Sequence, residues 1–375
     1  MYRKFVKLPF VILLFICLSC KQDEIKITTI DELEDAIKEE VDYQGLPSVS
    51  YCVVKNDKIL YSNAKGYADE DRKIKATDST RYLIASISKT ITAVAFMQLV
   101  DQNLVDLDDD INLYLPFSVR NPNYDDEPIT FRMLLTHTSS ISDRFQDNFD
   151  LDCYGKDCSM SLDQYCKNVF LSGGIYNSSK NFTNNEPGFN EDYSNLGFAL
   201  LGYLVERIAN TPFDVYCKNK IFIPLGMKKT EWRLANTPLS ELAIPYSPDI
   251  PNPNNPHFTF PDYPNGGMRT TVLDLSRFLR MFIQNGTFEG KQILSVGSAK
   301  EMKTLQFDSE SQGLSFYFEY INDMEVFGHS GGEKGATAEM YYDTKTNIGF
   351  IVFTNEEDGF VDNIISYLVS YAENQ

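Results

Sequence analysis

A serine and a lysine three residues apart stand where an apolar stretch of the chain begins. They are Ser86 and Lys89, within Tyr82-Leu-Ile-Ala-Ser-Ile-Ser-Lys-Thr-Ile-Thr-Ala93. On a helix, residues i and i+3 share a face, so the hydroxyl and the amine are expected to be neighbours. A neutral lysine can take the proton of an adjacent serine and leave a nucleophilic oxygen. Free N–H groups and the partial positive charge of a helix start favour the same chemistry. The pair therefore indicates a serine hydrolase.

The spacing alone does not single out this serine. Ser62 and Lys65 are also three apart, but they lie in a strand-like stretch, where such residues point to opposite faces. After Lys89, the segment from Thr90 to Val100 is apolar almost all round, as a buried helix should be. The helical context therefore selects Ser86 as the candidate nucleophile.

A second candidate group is the turn Tyr193-Ser194-Asn195. It follows Pro187-Gly188 and precedes a helix predicted over Leu196 to Ile208. The phenol can shuttle a proton, and the amide can hold a substrate carbonyl or the lysine. The Tyr-x-Asn pattern recurs at 61–63, 263–265 and 320–322. Only the turn at 193 enters an apolar helix between Ser86 and the last predicted strands, so we select Tyr193 and Asn195.

A third group, Gly328-His329-Ser330-Gly331-Gly332, places an imidazole, a hydroxyl and bare backbone after a short predicted strand. It also fits the G-x-S-x-G nucleophile elbow, with Ser330 as the nucleophile. That elbow requires a helix directly afterwards, whereas Ala336 to Tyr342 predicts a strand. It also requires a histidine later in the chain, and none follows Ser330. The interpretation of Ser330 as the nucleophile of such an elbow is therefore excluded.

His137 and the cysteines are interpreted as structural residues rather than catalytic ones. His137 is best interpreted as a hydrogen-bonded residue that steadies a loop, with general base as the alternative. No two histidines have metal-ligand spacing, so neither a metal nor another cofactor is expected. Cys153, Cys158 and Cys166 lie in a polar, loop-like stretch. One disulfide among them is expected in an oxidising compartment, with the pairing open and zinc as the disfavoured alternative.

Strands are predicted near both ends of the chain, with helices and long connections between them. The segments follow the hydrophobic periods of helices and strands, and Asn56-Asp57 gives a hairpin signal. Helices are predicted over Asp31–Val41 and around Val361–Leu368; strands are predicted over Val49–Val54, Lys58–Asn63, Glu325–Gly328, Ala336–Tyr342 and Ile348–Thr354, with a further alternating stretch at Leu314, Phe316 and Phe318.

This order of elements predicts an α+β fold. One antiparallel sheet, built from both chain ends and flanked by helices, takes about 30–84 and 305–375. A mostly helical second lobe takes about 85–304, and the cleft between the lobes is the natural site. The proline-rich stretch from Pro245 to Pro264 is expected to connect helices, with rimming of the cleft as the alternative.

The first residues have the form of a targeting segment. A basic start precedes an apolar stretch, Leu8 to Leu18, that is too short for a stable membrane span. Ser19 before Cys20 is typical of a bacterial lipoprotein, so residues 1–19 are expected to be removed, Cys20 lipidated, and residues 20–29 left as a linker. The alternative is an ordinary secretory signal cleaved elsewhere. We expect a cell-envelope lipoprotein on the periplasmic side or, given the charged run 21–24, on the cell surface.

The formal net charge is −19, from 34 basic and 53 acidic residues. Such a surface repels phosphate backbones, so nucleic acid is excluded as a partner. The expected partners are a small-molecule or peptide substrate and, through the lipid, a membrane.

The chain resembles the serine β-lactamase and penicillin-binding-protein superfamily, in the branch of class C β-lactamases, DD-peptidases and related esterases. The resemblance runs from about residue 30 to the C-terminus. Besides the three groups above, it rests on Leu134-Leu-Thr-His-Thr-Ser139, Pro187-Gly188, Ile223-Pro-Leu-Gly-Met227, Gly266-Gly267 with Asp274, and Gly328-His-Ser-Gly-Gly332.

The resemblance implies an acyl-enzyme mechanism. Ser86 would attack a carbonyl, and Lys89 and Tyr193 would share the general-base and general-acid work. Asn195 would orient Lys89 and the substrate. The backbone N–H groups of Ser86 and Gly332 would form an oxyanion hole, worth about 3–4 kcal/mol per donor. For this chemistry the Lys89 amine must be neutral, so its surroundings must disfavour the charge.

The chain departs from its relatives at several points. His329 stands where many relatives carry a lysine, Ser140-Ile141 replaces their Gly-Leu, and the insert around Cys153 to Asn185 is unmatched. The histidine favours a peptidase or esterase over a true β-lactamase. The resemblance also implies that His329, Ser330 and Gly331 bind or orient the substrate. The sequence therefore predicts a serine hydrolase for an ester or amide, namely a D-amino-acid peptide, an ester or a β-lactam-like compound. The alternative is a catalytically idle protein of the same fold that recognises envelope peptides.

Overall fold

A computed structural model describes residues 26–146, 149–251, 254, 256–307, 309–321 and 324–375. The expected signal segment and the lipidation site Cys20 lie outside these residues. None of the helices within them combines the length and the apolar character needed to cross a bilayer.

Within the described residues, seven strands form one antiparallel sheet in the order β10-β11-β12-β13-β1-β2-β3. The strands of both chain ends meet where β1 pairs with β13, with Cys52 opposite Ile351. Three short two-stranded pairs, β4–β7, β5–β6 and β8–β9, lie outside the sheet. The strands are β1 Ser48–Lys55, β2 Lys58–Asp69, β3 Ile74–Lys75, β4 Tyr82–Leu83, β5 Cys153–Tyr154, β6 Phe258–Thr259, β7 Arg269–Thr270, β8 Thr287–Phe288, β9 Lys291–Gln292, β10 Tyr317–Ile321, β11 Met324–Glu333, β12 Ala336–Asp343 and β13 Ile348–Thr354.

Helices cover both faces of the sheet. On one face α1 and α10 pack together and close an apolar core against the strands. On the other face α8 packs on β1 and β13, and a larger core continues into the helical region around α2 and α5. The helices are α1 Ile30–Gln44, α2 Ser88–Asp101, α3 Phe131–Leu135, α4 Leu162–Phe170, α5 Asn195–Ala209, α6 Phe213–Cys217, α7 Ile223–Leu225, α8 Val272–Ile283, α9 Val296–Glu301 and α10 Asp362–Glu373.

Local sequence signals explain the ends of these elements. Thr29 and Glu32 form a capping box at the start of α1, and Gly45 ends that helix in the left-handed conformation. Asn56 takes a positive φ of 57° at the hairpin between β1 and β2. Ser194 caps the start of α5, and its hydroxyl accepts a hydrogen bond from the N–H of Gly197.

The expected α+β fold is confirmed, with three differences in detail. The strand predicted over Glu325–Gly328 continues to Glu333, because glycines weaken a strand signal without preventing pairing with β12. The alternating stretch at 314–318 enters the sheet only from Tyr317. Helix α8 lies within the stretch assigned to the helical lobe, yet it packs on the sheet; an amphipathic sequence does not reveal which surface its apolar face meets.

One disulfide joins Cys153 to Cys158, so the expectation of a single bridge in this cluster is confirmed. Cys166 is a buried free thiol on α4. The bridged loop is held by the β5–β6 pairing and by an ion pair of 2.6 Å between Asp152 and Lys334, at the end of β11. The insert is therefore attached to the same strand that carries the third sequence motif.

Candidate active site

Ser86 lies on a tight turn between β4 and α2. Residues Ala85–Ile87 form a single 3-10 turn, and Ala85 has a φ of 43°, a left-handed conformation that is costly for a residue with a side chain. The turn packs against β11 and β12 at the edge of the sheet. Ser86 is half-buried, whereas the following helix is buried on almost every side. The expected position of the serine at the start of a buried helix is confirmed.

Lys89 is completely buried and reaches back to this turn. Its Nζ lies 3.0 Å from Ser86 Oγ, 2.7 Å from Asn195 Oδ1 and 2.8 Å from the backbone oxygen of Asn265. The side chain is 0% exposed, and all three partners are uncharged. The structure thus brings the serine, the lysine and the asparagine of two separate motifs into one hydrogen-bonded group.

Tyr193 lies beside this group and is 40% exposed. Lys89 Nζ lies 4.7 Å from the centroid of its ring, and the ring stacks on that of His137 at 4.3 Å between centroids. Among the described residues, Tyr193 therefore meets Lys89 through its ring face rather than through its hydroxyl. The residue therefore combines a ring packed against the buried group with a side chain that is partly open to solvent.

Two residues of the loop 137–143 hold the Tyr193-Ser194-Asn195 turn. His137 Nδ1 accepts the backbone N–H of Ser194 at 3.0 Å. The Asp143 carboxylate accepts the Ser194 hydroxyl at 3.0 Å, the Asn195 N–H at 2.6 Å and the Leu196 N–H at 2.8 Å. A carboxylate at a helix N-terminus satisfies N–H groups that have no partner within the helix. Together His137 and Asp143 fix the turn that presents Asn195 to Lys89.

Burial dominates the electrostatics of these supporting groups. It lowers the pKa of His137 well below its usual value, and a positive charge on Lys89 would act in the same direction. Burial also raises the pKa of Asp143, against the opposing effect of its three hydrogen bonds. His137 is therefore a neutral, hydrogen-bonded residue that supports a turn, the role favoured by the sequence.

The third motif forms the second half of β11, which borders the turn of Ser86. A Cβ on Gly331 would lie 2.4 Å from the backbone oxygen of Ile84 and 3.1 Å from the backbone nitrogen of Ser86. Only glycine permits this approach. Strand β10 pairs with β11 no further than Gly328, so within the described part of the chain the β10-side edge of residues 329–333 has no strand partner. Gly332 is exposed, and a Cβ there would meet nothing within 4 Å.

His329 and Ser330 point to opposite faces of β11. His329 is 3% exposed, and its ring lies 5.4 Å from the ring of Tyr317 and 6.4 Å from that of Tyr193. Burial lowers the pKa of His329 to about 3, and the Lys89 charge adds to this effect. The side chain that replaces the lysine of many relatives is therefore uncharged. Ser330 is exposed and lies opposite Glu339 of β12.

The second Ser-x-x-Lys match and the nucleophile-elbow pattern at Ser330 do not supply the nucleophile of this site. Ser62 Oγ donates to Asp78, and Lys65 pairs with Glu34 on the sheet surface. The strand after Ser330 excludes the helix that a nucleophile elbow needs. Within the described residues, no group of three or more histidine, cysteine or acidic side chains is arranged to hold a metal.

Sequence reasoning missed three contributors to the site. Asn265 supplies a backbone oxygen to Lys89, so the end of the proline-rich stretch reaches the cleft and does more than connect helices. Asp143 acts on a turn 52 residues later in the chain, which no local pattern reveals. Asp262 is buried near Lys89, and burial raises its pKa to about 7. For these three residues the only local sequence pattern is the Tyr-x-Asn match at 263–265. That pattern points to side chains, whereas Asn265 acts through its backbone oxygen.

Comparison with known proteins places this geometry in a family. Residues 33–369 match the family model described as Beta-lactamase. The chain belongs to the Beta-lactamase family. Most of the chain is covered by the match, so the resemblance stated from the motifs is confirmed. The family is one of serine hydrolases, and the antiparallel sheet flanked by helices agrees with it.

Two curated members show sequence similarity at moderate identity. Protein flp from Staphylococcus aureus is 26% identical over 339 residues, which cover 90% of this chain and 65% of that protein. The putative penicillin-binding protein PbpX from Bacillus subtilis is 25% identical over 313 residues, covering 80% of this chain and 68% of that protein. This chain thus spans about two thirds of the length of these relatives.

Solved structures of Beta-lactamase-like proteins share the fold. D-amino acid amidase from Ochrobactrum anthropi superposes with a TM-score of 0.73 at 22% identity, covering 92% of this chain and 99% of that one. The octameric penicillin-binding protein homologue from Pyrococcus abyssi gives a TM-score of 0.68 at 24% identity, with 92% and 77% covered. At these identities the likeness establishes the architecture alone.

Proposed function

We propose that this chain is a serine hydrolase that cleaves an amide or ester of a D-amino acid or short D-amino-acid peptide through an acyl-enzyme on Ser86. The observation that carries the proposal is the buried Lys89 amine, placed 3.0 Å from Ser86 Oγ and held by Asn195 and Asn265. The intact set of Ser86, Lys89, Tyr193 and Asn195 argues against the alternative of an idle binding protein.

Lys89 can act as a base only in its neutral form, and its partners can accommodate that form. A neutral amine has two N–H groups and one lone pair, and two of its partners, Asn195 Oδ1 and the Asn265 backbone oxygen, can only accept. With both N–H groups donated to these oxygens, the lone pair is left for the Ser86 hydroxyl proton. This arrangement gives the lysine the orientation of a general base.

The reaction then follows in two balanced halves. Ser86 Oγ bonds to the substrate carbonyl carbon, its proton passes to Lys89, and the carbonyl oxygen takes the negative charge. The intermediate collapses to an ester on Ser86, and the leaving amine or alcohol departs with that proton. Water attacks the ester in the same way, releasing the acid and restoring the hydroxyl.

Tyr193 and the backbone of β11 complete the chemistry. The Tyr193 phenol, whose ring lies against Lys89, would relay the proton between Lys89 and the leaving group. The N–H groups of Ser86 and Gly332 would donate to the developing oxyanion, since Gly331 brings β11 against the Ser86 turn. We also propose that lipidated Cys20 anchors the enzyme in the cell envelope.

The substrate class is supported by two lines. The structural neighbours include a D-amino acid amidase and a penicillin-binding protein homologue, although these likenesses concern the fold. His329, which stands where many relatives carry a lysine, is buried and uncharged, so it would not attract a substrate carboxylate. An amide or ester without a carboxylate in that place suits it better than a penicillin.

Hydrolysis of a matched panel tests the proposal. The panel contains D- and L-phenylalanine amides, short-chain nitrophenyl esters, nitrocefin and a D-Ala-D-Ala peptide, assayed with wild type and Ser86→Ala. We expect turnover of D-amides or esters that is lost in Ser86→Ala. Binding of peptides without turnover, unchanged in Ser86→Ala, would support the idle protein instead.

A further inference from the structure

A carboxylate without a cationic partner stands at the edge of the active site. Glu191 lies two residues before Tyr193 on the same turn and is exposed. Its Oε1 accepts the Tyr317 hydroxyl at 3.4 Å. Among the described residues, this phenol is the only side-chain partner of the Glu191 carboxylate. The carboxyl is partly removed from water although the residue as a whole is exposed, which raises its pKa, and no neighbouring cation offsets that effect.

The phenol that contacts Glu191 belongs to the wall of the cleft. The Tyr317 ring packs edge-on against His329 at 5.4 Å, and Tyr193 lies 6.4 Å from the same imidazole. Glu191 thereby contacts one of the two tyrosines whose rings flank His329, the second residue of the third motif.

His329 gives a second, independent observation. It is 3% exposed, and its Nε2 has no hydrogen-bond partner in the described part of the chain. A buried ring nitrogen without a partner is uncommon, because leaving it unpaired costs about 1–3 kcal/mol. The ring lies between the Tyr317 and Tyr193 rings, with its Nδ1 against the backbone oxygen of Ser330, so Nε2 is left for a ligand with N–H groups.

No cation of the described residues is among the groups that shift the pKa of the Glu191 carboxyl. Lys334, at the end of β11, pairs with Asp152 at 2.6 Å, and Arg144, exposed in the loop of Asp143, lines a separate surface pocket with Asp192 and Tyr193. His329 is uncharged. The rim around Glu191 therefore offers negative charge and aromatic faces, the two features that attract an ammonium group.

We propose that Glu191 forms an ammonium subsite, so that the enzyme selects amides or esters that carry a free amine. The carboxylate would receive the N–H groups of that amine, and the Tyr193 and Tyr317 rings would pack around it. Substrates that present a carboxylate there would be repelled. The inference rests on the proposed hydrolase function and specifies its substrate charge.

Paired substrates that differ only in the amine test this subsite. We would measure kcat/KM for D-phenylalanine p-nitroanilide and N-acetyl-D-phenylalanine p-nitroanilide with wild type and Glu191→Gln. A charge-assisted contact predicts that wild type prefers the free amine by about tenfold or more. Glu191→Gln should lose that preference and keep its rate on the acetylated substrate. Glu186→Gln, an acidic neighbour in the same loop, is the control and should match wild type.

Failure of the subsite and failure of the hydrolase give different results. If wild type hydrolyses both anilides without preferring the amine, or if Glu191→Gln keeps the preference, the subsite is refuted and the hydrolase stands. If no anilide is cleaved, D-phenylalanine amide is tested for protection of Ser86 against a fluorophosphonate. Protection that Glu191→Gln loses supports the subsite; equal protection, no protection or no labelling refutes it. Absence of both labelling and turnover also refutes the hydrolase.

Discussion

The backbone N–H of Asn195 donates a hydrogen bond of 2.6 Å to Asp143 Oδ2. The other oxygen of this carboxylate accepts the Ser194 hydroxyl and the Leu196 N–H. One acidic side chain thus fixes the first turn of α5, and Asn195 on that turn holds Lys89. The position of the candidate base depends on a residue that lies outside all three motifs.

Asp143→Asn should therefore impair the chemistry. An amide can keep one acceptor oxygen, but its NH₂ group would face a donor, so Asn195 should shift away from Lys89. We expect kcat to fall about tenfold or more, because small displacements of a catalytic group are costly, while KM changes little. Steady-state kinetics and thermal unfolding should be measured together.

Asp163→Asn is the matched control for Asp143. Asp163 lies in the first turn of α4 and accepts the Tyr203 hydroxyl at 2.6 Å. Its replacement should lower stability without lowering kcat in the folded protein. Equal kinetic effects of the two substitutions would show that Asp143 has no specific part in positioning.

Gly331 and Gly332 should respond differently to alanine. The Cβ of Gly331→Ala would lie 2.4 Å from the Ile84 backbone oxygen, so β11 and the Ser86 turn must separate. We expect a loss of about 1–3 kcal/mol in unfolding free energy and a large fall in kcat. Gly332→Ala adds a methyl group in open space and keeps the backbone N–H, so the free enzyme should remain stable. Equal destabilisation of the two variants by urea unfolding would contradict the geometry.

Much of this architecture could be anticipated from local patterns. The hairpin at Asn56, the strand Ile348–Thr354 and the two terminal helices follow from hydrophobic period and turn chemistry. The contact between Ser86 and Lys89 also follows from helical spacing. These features depend on residues that are near one another in the chain.

The supporting residues could not be found in this way. Asn265 acts through its backbone oxygen, to which its side-chain type gives no clue. Asp143 and Glu191 matter because distant segments meet around them, and an isolated acidic residue usually indicates a solvated surface. The packing of α8 on the sheet likewise depends on the tertiary fold.

Asp262 should make stability depend on pH. Burial raises the pKa of this carboxyl from 3.8 to about 7, so the folded protein holds a proton that the unfolded chain has lost above about pH 4. Its contribution to stability is therefore full at low pH and falls as pH rises from about 4 to about 7, then stays constant. Asp262→Asn removes this pH-dependent contribution to the free energy of unfolding.

Urea unfolding of wild type and Asp262→Asn between pH 4.5 and 8 isolates the effect, since other titrating groups cancel in the difference. The asparagine variant should gain stability relative to wild type as pH rises to about 7, by a few kcal/mol at most. A difference that stays constant across this range would show that Asp262 titrates normally.

Ser140 occupies a backbone conformation that suits glycine. Its φ is 61°, and its hydroxyl accepts a hydrogen bond of 2.9 Å from Asn121 Nδ2. Ser140→Ala would keep the left-handed strain and lose the hydrogen bond, whereas Ser140→Gly would lose the bond but relieve the strain. We expect the glycine variant to be more stable than the alanine variant by about 1 kcal/mol. Thermal unfolding that ranks them in the reverse order would contradict this explanation.

The most direct measurement is covalent labelling with a fluorescent fluorophosphonate, followed by peptide mapping of the modified residue. Wild type should be labelled at Ser86, and labelling should vanish in Ser86→Ala and fall by orders of magnitude in the folded Lys89→Met variant. Ser62→Ala and Ser330→Ala should label like wild type. Modification of Ser330, or equal labelling after Lys89 is replaced, would contradict a serine activated by this lysine.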